Sequence, residues 1–430
     1  MNSKNFIALK DNLKGFFSIG EMKRLENAEV LLWCHDINRN YMYKGVRYSS
    51  ITDSLNDRFV KMGLSTATIA RPYSVISEKN CYGDVYRVNG LIARAVFLDY
   101  IIRVVIKIIR VPAETLKIYF QIIAWERILK KIKPKIIIGI EPIKELCIAA
   151  NNNNIYTVDV QHGTQIDSTG QYAGHFYRMG YRGPAQKGWP DFVACWDKNS
   201  TKLLKKHRGD YTKPITLGHP WVFRFLSNKD KLDSLVNEAS TKYKLESNLP
   251  VILYSLQYSR DSNGNTEALI KIPSELDSFI KKEGRRYTWW LRVHPQLLRD
   301  EFREETFNKL EELYSDYSNV NWYEASYAPL PYILSKVALH LTRDSSVILE
   351  ASWYGIKSGL FDKPHMHKKL SSYYSNLIDK GDVEVINGYE HIKKFIHYGC
   401  LKSSKNDKDE MLNNYENVLK DIVKNVNTNV

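Results

Sequence analysis

The sequence has few cysteines. It contains five in 430 residues, at positions 34, 81, 147, 195 and 400, and no two form a CxxC pair. A scattered, odd-numbered set favours neither a disulfide framework nor a zinc site, and it fits a reducing cytosol. His365 and His367 have no carboxylate or cysteine at ligand spacing, so we expect no metal site. We expect no cofactor either.

Long apolar runs are also missing. No stretch reaches about 18 uninterrupted apolar residues, the length that a membrane-spanning helix needs. The nearest stretch, 91–109, is interrupted by Arg94, Asp99, Arg103 and Lys107. Residues 1–20 have no apolar run long enough for a signal peptide. We therefore expect a cytoplasmic protein that stays where it is made.

Two common nucleotide-binding signatures do not occur in the sequence. There is no GxxxxGK[ST] loop, and no GxGxxG follows a predicted strand. Neither a P-loop ATPase nor a dinucleotide-dependent dehydrogenase is therefore indicated. Basic residues are spread over both halves without a known nucleic-acid module, so we expect no nucleic-acid partner.

The charge that is present is mostly positive. Lys and Arg number 62 against 48 Asp and Glu, a formal net charge of +14. Such an excess fits an anionic partner, such as a nucleotide donor, an acidic polysaccharide or a membrane surface. In the 91–109 stretch, the basic residues after Asp99 would share one face of a helix. That stretch is either a core helix with one solvent-exposed stripe or a cationic helix lying on an anionic membrane leaflet.

Short apolar runs alternate with helical patterns along the chain, as in parallel sheets covered on both faces. We predict strands at 30–33, 66–70, 135–140, 155–160, 191–196, 214–217, 250–256, 287–293, 319–323, 338–341 and 358–361. The fold class predicted is α/β, with two sheet domains that face each other across a cleft. The predicted boundaries are 1–222 for the first domain, 223–248 for a linker, 249–404 for the second domain and 405–430 for a terminal helix.

The first candidate motif is Gln161-His162-Gly163, which follows the predicted strand 155–160 and opens a glycine-rich loop through 190. Long loops in compact domains are usually functional or disordered. A histidine can accept a proton near neutral pH, and Gly163 allows a substrate close to the backbone. We predict a catalytic role for these three residues. The alternative is a histidine that only ties the loop to the sheet.

The second candidate motif is Arg292-Val293-His294-Pro295, again at a strand end. Pro295 fits the first turn of a helix, which would leave His294 at the strand end. A histidine and an arginine at this place are suited to the phosphate or ribose of a nucleotide. We predict that Arg292, His294 and Pro295 bind a nucleotide.

The third candidate motif joins a strand to a helix through a turn that contains Ser345 and Ser346. Backbone N–H groups and the positive end of the helix dipole point outward there, which suits a phosphate. Glu350, one turn later, is predicted to meet ribose hydroxyls. The alternative for Ser345 is ordinary helix capping.

Weaker candidates lie at other strand ends. Ser255 and Gln257 end the first strand of the second domain, where a donor phosphate could be held. His219, followed by Pro220, ends the last strand of the first half and could simply mark a hinge. Glu324 is a candidate for a contact with the base or ribose.

Together, QHG, then HP, then SS with a downstream EAxxxG resemble the GT-B glycosyltransferases of bacterial surface polysaccharides. The nearest groups are the CDP-glycerol glycerophosphotransferases of teichoic-acid synthesis and the bacterial sialyl- and Kdo-transferases that use CMP-sugars. The first group has HG in one domain and HP and SS in the other. The second group shares HP and SS but has an acidic motif in place of QHG.

The resemblance implies roles for particular residues. His162 would be the base or another polar group of the active site, His294 would contact the donor nucleotide, and Ser345 with Ser346 would bind donor phosphate. The sialyltransferase base is a carboxylate, whereas this chain has Gln161-His162 at that place. The nearest carboxylates are Asp159 and Asp167, so the identity of the base stays open.

The implied activity is metal-independent transfer of a sugar or polyol phosphate from a CMP- or CDP-linked donor. The acceptor would be a capsule, lipopolysaccharide or teichoic-acid type glycan, or a lipid-linked precursor, and the enzyme would be peripheral on the inner face of the cytoplasmic membrane. Three alternatives remain: a UDP-sugar GT-B transferase, a non-hydrolysing sugar-nucleotide 2-epimerase, and a non-catalytic protein that binds glycan or membrane.

Overall fold

The chain divides into two compact units, and each contains its own parallel sheet. The computed structural model describes residues 21–35, 38–72, 80–83, 85–109, 118–163, 188–208, 212–228, 232–260, 266–267, 270, 272–361, 374–400 and 408–428. The first unit comprises Met1–Phe223 and Asn413–Val430, and the second comprises Arg224–Leu412.

The first unit is built on a seven-stranded sheet. The strands of this unit, inside and outside that sheet, are β1 (Val30–Cys34), β2 (Tyr41–Tyr43), β3 (Val46–Tyr48), β4 (Thr66–Ala70), β5 (Val85–Tyr86), β6 (Ile136–Gly139), β7 (Tyr156–Val160), β8 (Phe192–Cys195) and β9 (Lys213–Thr216). The sheet order is β5-β4-β1-β6-β7-β8-β9, all parallel, while β2 and β3 form a separate antiparallel pair. The helices are α1 (Thr52–Lys61), α2 (Asn89–Ile109), α3 (Tyr119–Ile132), α4 (Lys144–Asn152), α5 (Lys198–Arg208) and α6 (Pro220–Leu226).

The centre of this sheet is fully buried, as its continuous apolar runs require. Trp33 of β1 is paired with Gly139 of β6. A Cβ atom on Gly139 would lie 1.9 Å from the Trp33 carbonyl oxygen, so only glycine allows this approach. The ring of Trp33 packs edge-on against Trp125 of α3, with ring centroids 5.6 Å apart.

A buried carboxylate joins α2 to α3. Asp99 of α2 is 0% exposed. It accepts hydrogen bonds from the backbone N–H groups of Phe120 and Gln121, at 2.8 and 3.1 Å, and from Gln121 Nε2 at 3.0 Å. The residue that precedes α3, Ile118, has no side chain able to cap it, so Asp99 does this from the neighbouring helix.

The second unit is built on a six-stranded sheet. The strands of this unit, inside and outside that sheet, are β10 (Val251–Ser255), β11 (Ser259–Arg260), β12 (Thr266–Glu267), β13 (Thr288–Arg292), β14 (Val320–Asn321), β15 (Leu339–Thr342), β16 (Lys357–Phe361) and β17 (Val383–Ile386). The sheet order is β14-β13-β10-β15-β16-β17, all parallel, and β11 with β12 forms an antiparallel pair. The helices are α7 (Ser234–Lys242), α8 (Ser274–Glu283), α9 (Asp300–Tyr314), α10 (Tyr323–Tyr327), α11 (Leu330–Leu334), α12 (Val347–Trp353), α13 (Ser375–Asp379) and α14 (Tyr389–Gly399).

These elements confirm the α/β prediction and place every predicted strand within one or two residues of its expected bounds. Helix α8 begins only at Ser274, because Pro273 before it is extended, with ψ of 134°. Residues 266 and 267 instead form the short strand β12.

The stretch 223–248 differs from the bare linker expected from its polar composition. It contains α7, whose Leu235 and Ala239 are both fully buried. Asp233 caps α7 by accepting from the backbone N–H of Leu235, and it also pairs with Arg224 Nε at 2.8 Å. Most of this stretch is therefore a packed part of the second unit.

The terminal helix α15 (Lys408–Thr428) returns to the first unit. Tyr415 packs on Phe223 with ring centroids 5.0 Å apart, and Leu419 is fully buried. Asn414 Nδ2 donates to the Thr216 carbonyl oxygen at 3.0 Å. An apolar stripe thus anchors a helix whose sequence is mostly charged and polar.

We expect Asp99→Ala to lower the free energy of unfolding of the first unit by about 2 kcal/mol, because the first N–H groups of α3 lose their acceptor. Urea denaturation at neutral pH measures this loss. Asp421→Ala, at an exposed position of α15, is the control and should change stability by less than about 0.5 kcal/mol. Equal losses in the two variants would contradict the capping role of Asp99.

Candidate functional site

In the first unit, polar residues follow the ends of four neighbouring strands, β6, β7, β8 and β9. Gly139 of β6 pairs with Asp159 of β7, and Val160 of β7 pairs with Ala194 of β8. Parallel strands run in one direction about 4.8 Å apart, so the residues that follow them meet at one edge of the sheet. This edge includes His162, after β7.

His162 contacts a carboxylate that follows the neighbouring strand. His162 Nε2 lies 3.0 Å from Glu141 Oε1, and the two side chains are 24% and 17% exposed. When Nε2–H donates to the carboxylate, the neutral ring has its lone pair on Nδ1. A carboxylate behind an imidazole fixes the orientation of the ring and stabilises the imidazolium that forms on proton uptake. The pair is therefore suited to accept a proton.

The turn after β6 holds Glu141 in place. Its backbone N–H donates to Asp159 Oδ1 at 2.8 Å, and its carbonyl oxygen accepts from Trp33 Nε1 at 3.2 Å. Its φ is +52°, a left-handed conformation that costs free energy in a non-glycine residue. Asp159, one of the two carboxylates considered as a base, is 3% exposed and positions Glu141. Asp167 and the rest of the loop at 164–187 lie outside the described residues.

Gln161 is a buried support for this site. It is 1% exposed, and its Oε1 accepts from the Trp196 backbone N–H at 2.8 Å. Its Nε2 donates to the Gly163 carbonyl oxygen at 2.8 Å and approaches Ser200 Oγ at 3.4 Å. These bonds join the ends of β7 and β8 and fix the backbone on both sides of His162. Gln161 thus helps to position His162, and its catalytic role stays a prediction.

His219 and two thiols near this edge are poor candidates for catalysis. The His219 ring lies 4.5 Å from the Trp196 ring, and burial lowers the pKa of His219 to about 3. It is therefore neutral at physiological pH. Burial raises the pKa of the Cys34 thiol to about 11 and that of Cys195 to about 12, so neither is a thiolate nucleophile at neutral pH.

The three central strands of the second sheet end in register. Ser255, the last residue of β10, pairs with Arg292 of β13 on one side and with Thr342 of β15 on the other. The segments that follow leave the sheet side by side. Because β13 and β15 flank β10, their ends are two strand spacings, or about 10 Å, apart. One ligand of nucleotide size could reach both segments.

His294 presents a hydrogen-bond donor at this edge. Its Nδ1 accepts from the Gln296 backbone N–H at 3.1 Å, so the proton of the neutral ring is on Nε2. The ring packs 4.6 Å from that of Tyr258. Burial, with the charge of Arg292 nearby, lowers the pKa of His294 to about 4. At neutral pH it is thus an uncharged N–H donor, and Pro295 begins the short 3₁₀ helix after it.

Two residues predicted to bind the nucleotide form hydrogen bonds to neighbouring parts of the protein. Arg292 Nη1 donates to the carbonyl oxygens of Ala325 and Ala328, at 2.6 and 2.8 Å. Ser255 is 3% exposed, and its hydroxyl lies 3.0 Å from His340 Nε2. Buried polar groups need such partners inside the protein. These bonds hold the ends of β10 and β13, and contacts of Arg292 and Ser255 with a nucleotide stay predictions.

The serine pair before α12 divides into a cap and a candidate ligand. Ser345 Oγ accepts from the Val347 backbone N–H at 3.3 Å, and the Ser345 N–H donates to Thr342 Oγ1 at 3.2 Å. This is the capping alternative raised by the sequence. Ser346 is less buried, and its side chain makes no capping hydrogen bond. Ser346 therefore has the hydroxyl more available to a phosphate, and phosphate binding by both serines stays a prediction.

The same turn carries two charged side chains. Arg343 is partly exposed and brings a positive charge that sequence reasoning had not assigned to the site. Burial raises the pKa of Asp344, and the charge of Arg343 opposes that rise.

Glu350 lies under this edge, 8% exposed and within electrostatic reach of Arg292. Burial raises the pKa of Glu350 to about 7, although the Arg292 charge lowers it. Its contact with ribose stays a prediction, as does that of Gln257, which is partly exposed after β10. Glu324, a weaker candidate, accepts from Asn321 Nδ2 at 2.6 Å.

Glu141, like Arg343, is a candidate residue that sequence reasoning missed. It follows the predicted strand 135–140, so its position past a strand end was visible in the sequence. Its partner was not, because only the sheet order shows that β6 and β7 are neighbours.

Among the described residues, no group of three or more histidine, cysteine, aspartate or glutamate side chains could hold a metal ion. His365 and His367 lie outside those residues.

No protein-family model matches the chain, and no curated protein matches it. Solved structures do. The wall teichoic acid polymerase TagF is 14% identical with a TM-score of 0.52, over 99% of this chain and 89% of that chain. S. aureus MnaA in its co-structure with UDP is 12% identical with a TM-score of 0.53, over 93% of this chain and 96% of that chain. The UDP-GlcNAc 2-epimerase of Neisseria meningitidis bound to UDP-GlcNAc is 14% identical with a TM-score of 0.50, over 93% of this chain and 99% of that chain.

The chain has a GT-B type of fold. Its two Rossmann-like units, each with a parallel sheet, confirm the predicted class. At these identities the likeness shows the fold alone.

We expect wild-type stability, measured relative to Glu350→Gln, to fall as the pH rises from about 5 to about 7. Burial raises the pKa of Glu350 from 4.5 to about 7, so the folded state binds this proton more tightly than the unfolded state. Its stabilising contribution is complete below pH 4.5 and is lost as the pH passes 7. The full change is about 3 kcal/mol.

Urea denaturation at several pH values measures this difference. Glu304→Gln, at an exposed position of α9, controls for replacing a carboxylate with an amide. A difference between wild type and Glu350→Gln that does not vary with pH would contradict the assignment.

Proposed function

We propose that this protein is a GT-B glycosyltransferase that moves a sugar or polyol phosphate from a CMP- or CDP-linked donor to a glycan or its lipid-linked precursor. The observation that carries the proposal is the contact between His162 Nε2 and Glu141 Oε1, at 3.0 Å, just beyond the ends of two parallel strands. Ligands of open α/β sheets bind in this position.

In the proposed reaction, His162 accepts the proton of an acceptor hydroxyl on Nδ1 while Glu141 stabilises the resulting imidazolium. The acceptor oxygen attacks the anomeric carbon of a CMP-sugar or the distal phosphorus of a CDP-polyol. The bond from that atom to the bridging oxygen breaks, and CMP leaves in both cases. No bound cofactor takes part in the proposed reaction.

We assign the binding of the nucleotide donor to the second unit. His294 Nε2–H, the Ser346 hydroxyl and the Arg343 guanidinium are the groups proposed to stabilise negative charge on the leaving phosphate. Helix α12 has only seven residues, so its dipole is a minor contributor beside these side chains. The cytidine base is supported by the motif resemblance to CDP-glycerol transferases.

A thermal-shift screen of CMP, CDP, UDP, GDP and dTDP tests the donor assignment. The nucleotide that binds the native state should stabilise it by about 2.7 kcal/mol at a hundredfold excess over Kd. We expect CMP or CDP to give the largest rise in Tm, and His294→Ala and Ser346→Ala to reduce it. A response to UDP alone would favour the UDP-sugar alternative, and no response to any nucleotide would contradict the proposal.

Substitution of the His–Glu pair tests the proton acceptor. We expect His162→Ala to lower CMP release by about a thousandfold and Glu141→Gln by about ten- to a hundredfold, with Tm nearly unchanged. The matched control is a second pair, in which His391 Nε2 lies 2.8 Å from Glu384 Oε1. His391→Ala and Glu384→Gln should retain turnover, and a similar loss in both pairs would refute the assignment.

A sugar-nucleotide 2-epimerase is the second candidate, favoured by the similarity to the Neisseria meningitidis enzyme. The same His–Glu pair could remove a proton from carbon. An epimerase converts the nucleotide sugar without an acceptor, whereas a transferase consumes its donor only in proportion to acceptor. Incubation of the donor with and without acceptor therefore separates the two.

A further inference from the structure

Helix α2 concentrates the exposed apolar surface of the described residues. Of the fifteen large hydrophobic side chains that are exposed, seven lie on this helix. They are Phe97 (52%), Leu98 (41%), Tyr100 (62%), Ile101 (44%), Val104 (42%), Val105 (48%) and Ile108 (73%). Single exposed hydrophobic residues are ordinary, but a contiguous set marks a surface that binds something.

These side chains form one face. Phe97, Ile101, Val104 and Ile108 are spaced by four, three and four residues, which places them in one stripe along the helix. The opposite side carries Asp99, which is buried against the start of α3.

The N-terminal part of α2 has a different environment. Ile92 and Ala95 pack into the same core cluster as Trp33 and Trp125. The helix is therefore anchored on one side by core packing and by Asp99, while its outward stripe remains exposed over about three turns.

The charged residues of α2 are suited to an anionic surface. Arg94, Arg103 and Lys107 are basic, and the one acid of the helix, Asp99, is buried in its capping contact. Arg103 and Lys107 are spaced four apart and border the apolar stripe on the side of Tyr100. A helix with an apolar face bordered by basic residues and an aromatic is typical of proteins that lie in the headgroup region of a bilayer.

We infer that the outward face of α2 docks the protein on an anionic phospholipid surface, with the helix lying in the plane of the membrane. Among the described residues, no helix combines the length and the apolarity that crossing a bilayer requires. Each basic residue near such a surface contributes about 1 kcal/mol, and burial of the stripe adds to this. The inference concerns a surface away from the strand ends and does not depend on the proposed chemistry.

Vesicle co-sedimentation of the full chain tests the inference. We expect the wild type to bind vesicles with about 30 mol% phosphatidylglycerol at least about tenfold more strongly than pure phosphatidylcholine vesicles. Raising the salt concentration from about 0.05 to about 0.5 M should weaken that binding. Absence of binding to the anionic vesicles would overturn the inference.

Variants identify the face. The double change Ile101→Glu with Ile108→Glu should weaken binding at least about tenfold, because charge replaces the stripe that enters the headgroup region. The matched control is Val60→Glu, at an exposed apolar position of α1 (54%), which should leave binding unchanged.

Arg103→Gln with Lys107→Gln should lower binding to anionic vesicles by about tenfold. Lys202→Gln with Lys205→Gln, on exposed positions of α5, is its control.

Light scattering tests whether a second copy of this chain, and not a membrane, covers the outward face of α2. If the wild type is a dimer that Ile101→Glu with Ile108→Glu converts to a folded monomer, and neither binds vesicles, the face is a self-association surface and the inference fails. Equal vesicle binding by this double variant and the wild type would also refute it. Circular dichroism and Tm show that each variant is folded.

Discussion

The contact between His162 and Glu141 depends on the in-register pairing of two parallel strands. Gly139 pairs with Asp159, so the residues that follow β6 and β7 leave the sheet together, and the two side chains meet at 3.0 Å. The pairing depends in turn on Gly139, since any Cβ there would collide with β1. A packing requirement at the centre of the sheet thus determines the geometry of the contact between His162 and Glu141 at its edge.

The two candidate sites use their polar groups differently. At the edge of the second sheet, several polar residues are bonded inside the protein: Arg292 to backbone carbonyl oxygens, Ser255 to His340, and Ser345 to the start of α12. Such bonds fix the ends of the strands and leave few side chains for a ligand. His294 is suited to donate rather than to accept, because burial lowers its pKa and Gln296 occupies Nδ1.

The sequence was sufficient to predict the fold class and eleven strands, because continuous apolar runs and strand-end turns are local signals. It did not indicate the edge strands β5 and β17 or the two short antiparallel pairs. It located His162 and His294 correctly past the ends of strands. It could not show that Glu141 is a partner of His162, since that depends on which strands are neighbours. For the same reason it could not show that Arg292 Nη1 and the Ser255 hydroxyl have hydrogen-bond partners inside the protein, because tertiary packing determines those partners. The orientation of α2 also required the structure.

Hydrogen–deuterium exchange with and without the nucleotide that stabilises the protein most tests the central claim directly. A nucleotide held at the ends of β13 and β15 should slow exchange of the backbone N–H groups in 293–298 and 343–349. It should leave 383–391, at the end of the edge strand β17, unchanged. Binding of the nucleotide without slower exchange in either of the first two segments would contradict the account.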